Sequence, residues 1–369
     1  MMNQRIIGFD LARAYAILGM YIVNFIFCFG TFRNQTILGK FSNLFIGNST
    51  SIFIICAGMG IMLLANRYSG SIEEKRKLKL IIWKRSLFLF ALGLLLYNWW
   101  PGDILHFYGG YMHIAAFILF IPKRNYLWIA FTFILVYNVL QFFIPIFTSW
   151  DLQTTKYADF WTPLGFLRNT FYNGWNSIFP WFAYFLIGMY LGKLNWQEKR
   201  TWKKIFVIGF CLIVFFKALR LYINFDFENP LYHQFYIDSW LYIMEDYFPV
   251  NIPFFMITTG WALMVIAICM YLGNKFSENK LVLVLAKTGK MTLSLYVIHI
   301  TVGIILLSVL TNKEYTGFPQ TETPEASNFI LFYAIMFFSL SVVFSYIWSK
   351  KFENGPIETL MRKISEPKI

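Results

Sequence analysis

Residues 8–25 read GFDLARAYAILGMYIVNF, an apolar run whose only formal charges, Asp10 and Arg13, stand near its start. With the residues that follow it, the run reaches the ~20 residues that a helix needs to cross a bilayer. Working outward, ten such stretches predict membrane helices, at about 9–30, 48–66, 80–100, 104–121, 126–147, 178–194, 203–224, 252–273, 288–310 and 328–349. In lipid the backbone must satisfy its own hydrogen bonds, and ten-residue alternating segments of a barrel are not seen, so helices are expected. Composition agrees: the 369 residues are 58% hydrophobic and 14% charged. Soluble domains carry about 45–50% apolar and about 25% charged residues. Disorder, collagen, coiled coil and a disulfide scaffold are excluded on the same grounds. The expected fold is all-α, a polytopic membrane bundle of about ten transmembrane helices forming one domain over 1–369, with both termini cytoplasmic.

The net charge of +13 could mean a nucleic-acid partner, but the positions of the charges argue against one. With the N-terminus inside, 25 of the 32 Lys and Arg fall in inner segments, against 8 of the 19 Asp and Glu. That is the asymmetry of an inner-membrane or plasma-membrane protein whose basic loops face anionic cytoplasmic lipid. The first helix carries no small-residue cleavage site, so it is expected to stay as an anchor. The four cysteines, Cys28, Cys56, Cys211 and Cys269, lie one per predicted helix without zinc-site spacing, and read as small buried hydrophobes. Gly188 and Gly192 in IGMYLG are small residues four apart, as at close helix crossings. The outer connections at about 148–177 and 225–251 are long and aromatic, either an interfacial belt or a lid for an extracytoplasmic substrate.

An ionisable or amide group inside a membrane costs enough to mark a site, and four places stand out. On the first helix, Asp10 and Arg13 share a face three residues apart, and Asn24 lies nearer the outer end, where it is either interhelical glue or chemistry. In GDILHFYGGYMHI, 102–114, Asp103 and His106 are three apart: a carboxylate beside an imidazole fixes its tautomer, though the pair equally fits a helix cap. In YNGWNSIFPW, 172–181, Asn173 and Asn176 open a helix whose N-terminus can face an anion, or simply be capped. In KTGKMTLSLYVIHI, 287–300, His299 is the one imidazole near the midplane, packed or functional. No metal site is expected, since H-E-x-x-H is absent.

These residues also carry a resemblance. FDLARAYAILGMYIVNF resembles the D-x-x-R-G-x-A-I-x-G-(I/M)-x-x-x-N opening of YeiB-like bacterial membrane proteins and of heparan-alpha-glucosaminide N-acetyltransferase-like proteins. GDILHFYG is similar to the YeiB-like G-D-I-L-x-x-Y-A element. YNGWNSIFPWFAYFLIGMYLGK resembles F-N-G-x-H-P-x-x-P-W-x-x-F-x-x-x-G-M-x-x-G-R, and FENGPIETLMRK resembles the closing G-P-L-E-x-x-x-R. The four elements run in order along nearly the whole chain. The resemblance implies a membrane acyltransferase that takes an acetyl group from cytoplasmic acetyl-CoA to an acceptor on the other side. Asn24 matches a family asparagine. The histidine that the heparan enzyme carries in the following outer loop has no counterpart in TFRNQTILGKFSNLFIGNST, 31–50.

The leading expectation is therefore acyl transfer from an acyl-CoA to a hydroxyl or amine of an extracytoplasmic glycan, lipid or small molecule. His106 serves as base, Asp103 orients it, and Asn24 and Asn173 polarise the thioester carbonyl. Asn176 and His299 contact substrate, while Arg13, Arg67, Lys84 and Arg85 meet the CoA phosphates from the cytoplasmic side. The alternative is a small-molecule transporter without covalent chemistry, in which His299, Asp10 and Arg13 line the path.

Overall fold

The computed structural model describes residues 6–31, 36–68, 70–151, 154–226, 247–315, 317 and 324–366. His233 and most of the expected outer connection at 225–251 lie outside the described residues. In chain order the helices are α1 (Ile7–Phe29), α2 (Ile37–Asn43), α3 (Asn48–Ala65), α4 (Ile72–Tyr97), α5 (Leu105–Phe117), α6 (Lys123–Leu140) and α7 (Pro163–Arg168). They continue with α8 (Ile178–Leu191), α9 (Lys199–Asp226) and α10 (Ile252–Lys275). Then follow α11 (Lys280–Gly289), α12 (Thr292–Thr311), α13 (Ser327–Trp348) and α14 (Pro356–Ser365). A two-residue antiparallel pair, β1 (Trp150–Asp151) with β2 (Lys156–Tyr157), is the sheet among the described residues.

The protein is an all-α, multi-pass membrane bundle. Each of the ten expected stretches is helical, and seven helical spans among the described residues are long and apolar enough to cross a membrane. Those at Leu105–Phe117, Lys123–Leu140 and Ile178–Leu191 are not among the seven. Two boundaries differ from expectation for visible reasons. The basic run 75–79 is not a loop but the start of α4, because the Ser71 side chain caps Glu74 N–H at 3.1 Å and Glu73 and Glu74 occupy the positive end of the helix. The outer segment 148–177 is not open chain either. It holds the β pair, α7 and a π-helical turn at Asn169–Asn173.

Small residues set the helix crossings. A Cβ on Gly58 of α3 would lie 2.0 Å from the Phe185 carbonyl oxygen of α8, and one on Gly188 would lie 2.0 Å from that of Ile55. Gly209 and Gly260 play the same part between α9 and α10. Without water to drive apolar faces together, such close backbone contact is what holds membrane helices. At one end of the bundle Gly8 meets Met270 and Gly289 meets the Asp10 carbonyl, so the start of α1 gathers with the end of α10 and the end of α11. The C-terminal α14 joins this end, where Glu358 contacts the start of α12. At the other end Glu325 N–H donates to Phe29 O at 2.7 Å and Lys313 pairs with Glu325. The described beginning and end of the chain therefore share one end of the bundle.

Candidate functional site

The site is built around α12, and α12 is held by the tail. Its N-terminus begins inside the protein, where its free N–H groups need partners. Glu358 of α14 supplies them: Oε1 accepts from Leu293 N at 2.8 Å and Ser294 N at 3.2 Å, Oε2 bonds the Ser294 hydroxyl, and Ser294 Oγ accepts from Ile357 N at 2.9 Å. A Cβ on Gly355 would come within 2.3 Å of Glu358 Oε2 and 2.7 Å of Ser294 Oγ, so a larger residue there would press on this cap. One turn further on, α12 widens into a π-helical turn at His299–Gly303. Widening displaces carbonyls from their usual partners, and side chains take them up: Trp99 Nε1 donates to Ile300 O at 2.6 Å and the Tyr333 hydroxyl to Gly303 O at 2.6 Å.

His299 opens this π turn and is fully buried. Its Nε2 lies 2.9 Å from Asn24 Nδ2, and its Nδ1 lies 3.3 Å from the Leu295 carbonyl. A carbonyl can only accept, so Nδ1 carries the proton and Nε2 accepts from the Asn24 amide. The ring stacks on Tyr21 at 4.7 Å between centroids. His299, expected as a substrate contact, has both ring nitrogens engaged by protein groups, Nε2 by the Asn24 amide. Asn24 is half-buried and keeps a second amide N–H beyond the one given to His299.

Across from it, Asp103 and His106 are both fully buried. Asp103 sits just before α5, and its Oδ2 accepts from His106 N–H at 3.0 Å and from His106 Nδ1 at 2.8 Å. The two sequence alternatives, cap and dyad, are thus realised by one oxygen. The bond fixes the tautomer, because a carboxylate accepts and Nδ1 must donate. His106 Nε2 then carries the lone pair, and it is buried with no hydrogen-bond partner among the described residues. Tyr97, Phe107 and Phe160 surround the ring. A Cβ on Gly93 would fall 2.4 Å from Asp103 Oδ2 and 2.3 Å from His106 N. Only glycine lets α4 approach this turn so closely. His113, two turns on, is exposed and stacks on Trp83 at 5.5 Å.

The two histidines are joined by a residue that was not among the expected site residues. Tyr296 lies one turn before His299, with its ring edge-on to that imidazole at 5.2 Å. Its hydroxyl reaches Asp103 Oδ1 at 3.5 Å and accepts from Ile104 N at 3.3 Å. Asn24, His299, Tyr296, Asp103 and His106 thereby form one continuous set drawn from α1, α12 and the start of α5. The three-residue spacing of Tyr296 and His299 was the available signal.

The other expected site residues go elsewhere. Asn173 is fully buried and spent: both its N–H groups go to the Ile146 and Thr148 carbonyls, at 3.0 and 2.9 Å, and its Oδ1 accepts from Tyr157 at 2.7 Å. It ties down the outer segment and has no donor left for a thioester carbonyl. Asn176 donates to the Tyr247 hydroxyl at 2.8 Å, and its own carbonyl accepts from Tyr111. Above them Trp150, Trp175 and Phe248 form an aromatic cluster, with centroids 4.9–5.5 Å apart. The segment is stapled by Arg168, which donates to both Asp159 carboxylate oxygens at 2.8 and 2.7 Å.

Of the four basic donor-site candidates, Arg13 donates to Thr292 Oγ1 at 2.6 Å, at the base of α12. Arg85 is held by Ser365 and Glu366 of the tail, at 3.3 and 2.5 Å, which accounts for it as a tie between α4 and the C-terminal helix. Arg67 is exposed beyond α3 and Lys84 half-buried on α4. Among the described residues no group of three or more His, Cys, Asp or Glu converges as metal ligands do.

A family model described as heparan-alpha-glucosaminide N-acetyltransferase, catalytic, matches residues 5–209, which hold Asn24, Asp103 and His106. A second, described as a protein of unknown function (DUF418), matches residues 191–368, which hold Tyr296, His299 and Glu358. No curated protein sequence matches the chain.

Proposed function

We propose, from the premise that this chain belongs to the heparan-alpha-glucosaminide N-acetyltransferase catalytic family of membrane acetyltransferases, that it moves an acetyl group from cytoplasmic acetyl-CoA to a hydroxyl or amine on an extracytoplasmic glycan, lipid or small molecule. It does so as a multi-pass protein of the inner (plasma) membrane. The observation that carries the reading is His106: buried, oriented at Nδ1 by Asp103, and open at Nε2. That is the arrangement of a general base whose tautomer is set by a carboxylate.

In this reading the acceptor's O–H or N–H gives its proton to His106 Nε2 as the oxygen or nitrogen attacks the thioester carbonyl carbon. The second N–H of Asn24, held in place by His299, stabilises the negative charge that develops on the carbonyl oxygen. The carbon–sulfur bond then breaks, and His106 returns the proton to the departing thiolate. Arg13 stands on α1 eleven residues before Asn24, about 16 Å at ~1.5 Å per residue. It is the basic candidate in line with the set, suited to a donor phosphate at the cytoplasmic mouth. The aromatic cluster of Trp150, Trp175 and Phe248 offers flat faces to an acceptor from the other side.

The test is purified protein supplied with acetyl-labelled acetyl-CoA and a panel of envelope glycans and amino sugars. Protein-dependent release of free CoA, with label on an acceptor, is expected. Absence of both, together with counterflow of a solute in proteoliposomes, would replace the enzyme with a carrier.

A further inference from the structure

Asp103 is held on two sides. On one, its Oδ2 faces the backbone of α4 at Gly93 and carries both bonds to His106. On the other, its Oδ1 is reached by Tyr296 alone among the described residues, at 3.5 Å. The direction of that contact is determined. A phenol has one proton, and the Tyr296 oxygen already accepts from Ile104 N–H at 3.3 Å, so its proton is available to the carboxylate. The ring that carries this hydroxyl is fully buried and packs edge-on against His299, at the start of the π turn.

We infer that Tyr296 is the positioning residue of the transfer site: its hydroxyl fixes the Asp103 carboxylate so that Oδ2 stays on His106 Nδ1, and its ring sets the start of α5 against the turn of α12 that carries His299, the partner of Asn24 on α1. The inference rests on the reading of His106 as base. Tyr296 touches neither donor nor acceptor in this scheme. It acts through Asp103, and its effect belongs on turnover rather than on donor binding.

The experiment is a cycle of Tyr296→Phe, Asp103→Asn and the double variant, with His106→Ala as reference. Phe keeps the ring and its packing and removes only the hydroxyl. Tyr296→Phe should lower kcat roughly tenfold, the scale of one lost hydrogen bond to a charged group, and leave the KM for acetyl-CoA unchanged. In the double variant the loss should be no larger than in Asp103→Asn alone, since groups acting through one contact are not additive. Independent, additive losses, or a Tyr296→Phe enzyme with unchanged kcat, would overturn the inference while His106→Ala still reports on the base. If His106→Ala itself keeps full transfer, the reading beneath falls and the inference with it. The same cycle read in thermal midpoints needs no turnover: coupling between Tyr296→Phe and Asp103→Asn supports the contact, and additivity removes it.

Discussion

At His106 one carboxylate oxygen does two things: Asp103 Oδ2 caps the first turn of α5 and orients the imidazole. At Asn24 the amide gives one N–H to the His299 imidazole and keeps a second. Asn24→Ala should therefore cost more than a hydrogen bond, because it also frees His299 Nε2. If the amide stabilises the developing oxyanion, kcat should fall on the order of 10²–10³-fold, with the protein still folded. Steady-state kinetics of the purified variant decide this, and an unchanged kcat removes Asn24 from the chemistry. Asp159 gives a second residue-scale prediction. Hydrogen bonds from Arg168 hold its carboxyl below the usual carboxylate range. Its folded value lies under its unfolded one, so its contribution is complete above the ordinary value near pH ~4 and is lost as pH falls through the lowered value. Limited proteolysis of 148–177 should show the segment loosening only in that acid range. Arg168→Met should loosen it at neutral pH and abolish the acid step.

Among the elements, α12 is the one whose ends and bend carry the site. Its N-terminus is capped from α14, across 64 residues, by Glu358. Two backbone donors and one hydroxyl depend on that carboxylate, each worth ~1.5–3 kcal/mol at most as a bond to a charged group. Glu358→Ala should lower stability by at least about 1–3 kcal/mol in detergent and shift His299 relative to Asn24, so that thermal midpoint and turnover fall together. A variant with a wild-type midpoint would show that the tail is not the cap. The helices themselves were legible in the sequence, because a bilayer demands long apolar runs and 8–25 or 252–273 meet that demand alone. What was not legible was anything that depends on contact across the chain. Asn173 and Asp103 looked equally suited to chemistry, being amide and carboxylate at helix starts. Only packing shows that Asn173 spends both its donors on the Ile146 and Thr148 carbonyls while the Asp103 pair leaves a nitrogen open. Arg85, expected at the CoA phosphates, likewise has partners that lie far along the chain, Ser365 and Glu366 of the tail.

For the whole molecule, both described chain ends lie together, and the charge asymmetry predicts that this end, with Arg13, is cytoplasmic and the aromatic segment 148–177 opposite. Single cysteines at Lys123 and Thr154, in a Cys211→Ser background that removes the exposed native thiol, test it in intact cells. A membrane-impermeant maleimide should label position 154 and spare position 123. The reverse pattern would put the proposed donor mouth outside the cell.

The measurement that bears most directly on the central claim compares His106→Ala with His299→Ala in acetyl transfer from acetyl-CoA. A lost general base typically costs about 10²–10⁴-fold in rate, so His106→Ala should nearly abolish turnover while folding and binding acetyl-CoA as before. His299→Ala, which loses the group that orients Asn24, should keep measurably more activity. Full turnover in His106→Ala, with its loss in His299→Ala, would contradict the account and move the base to the π turn of α12.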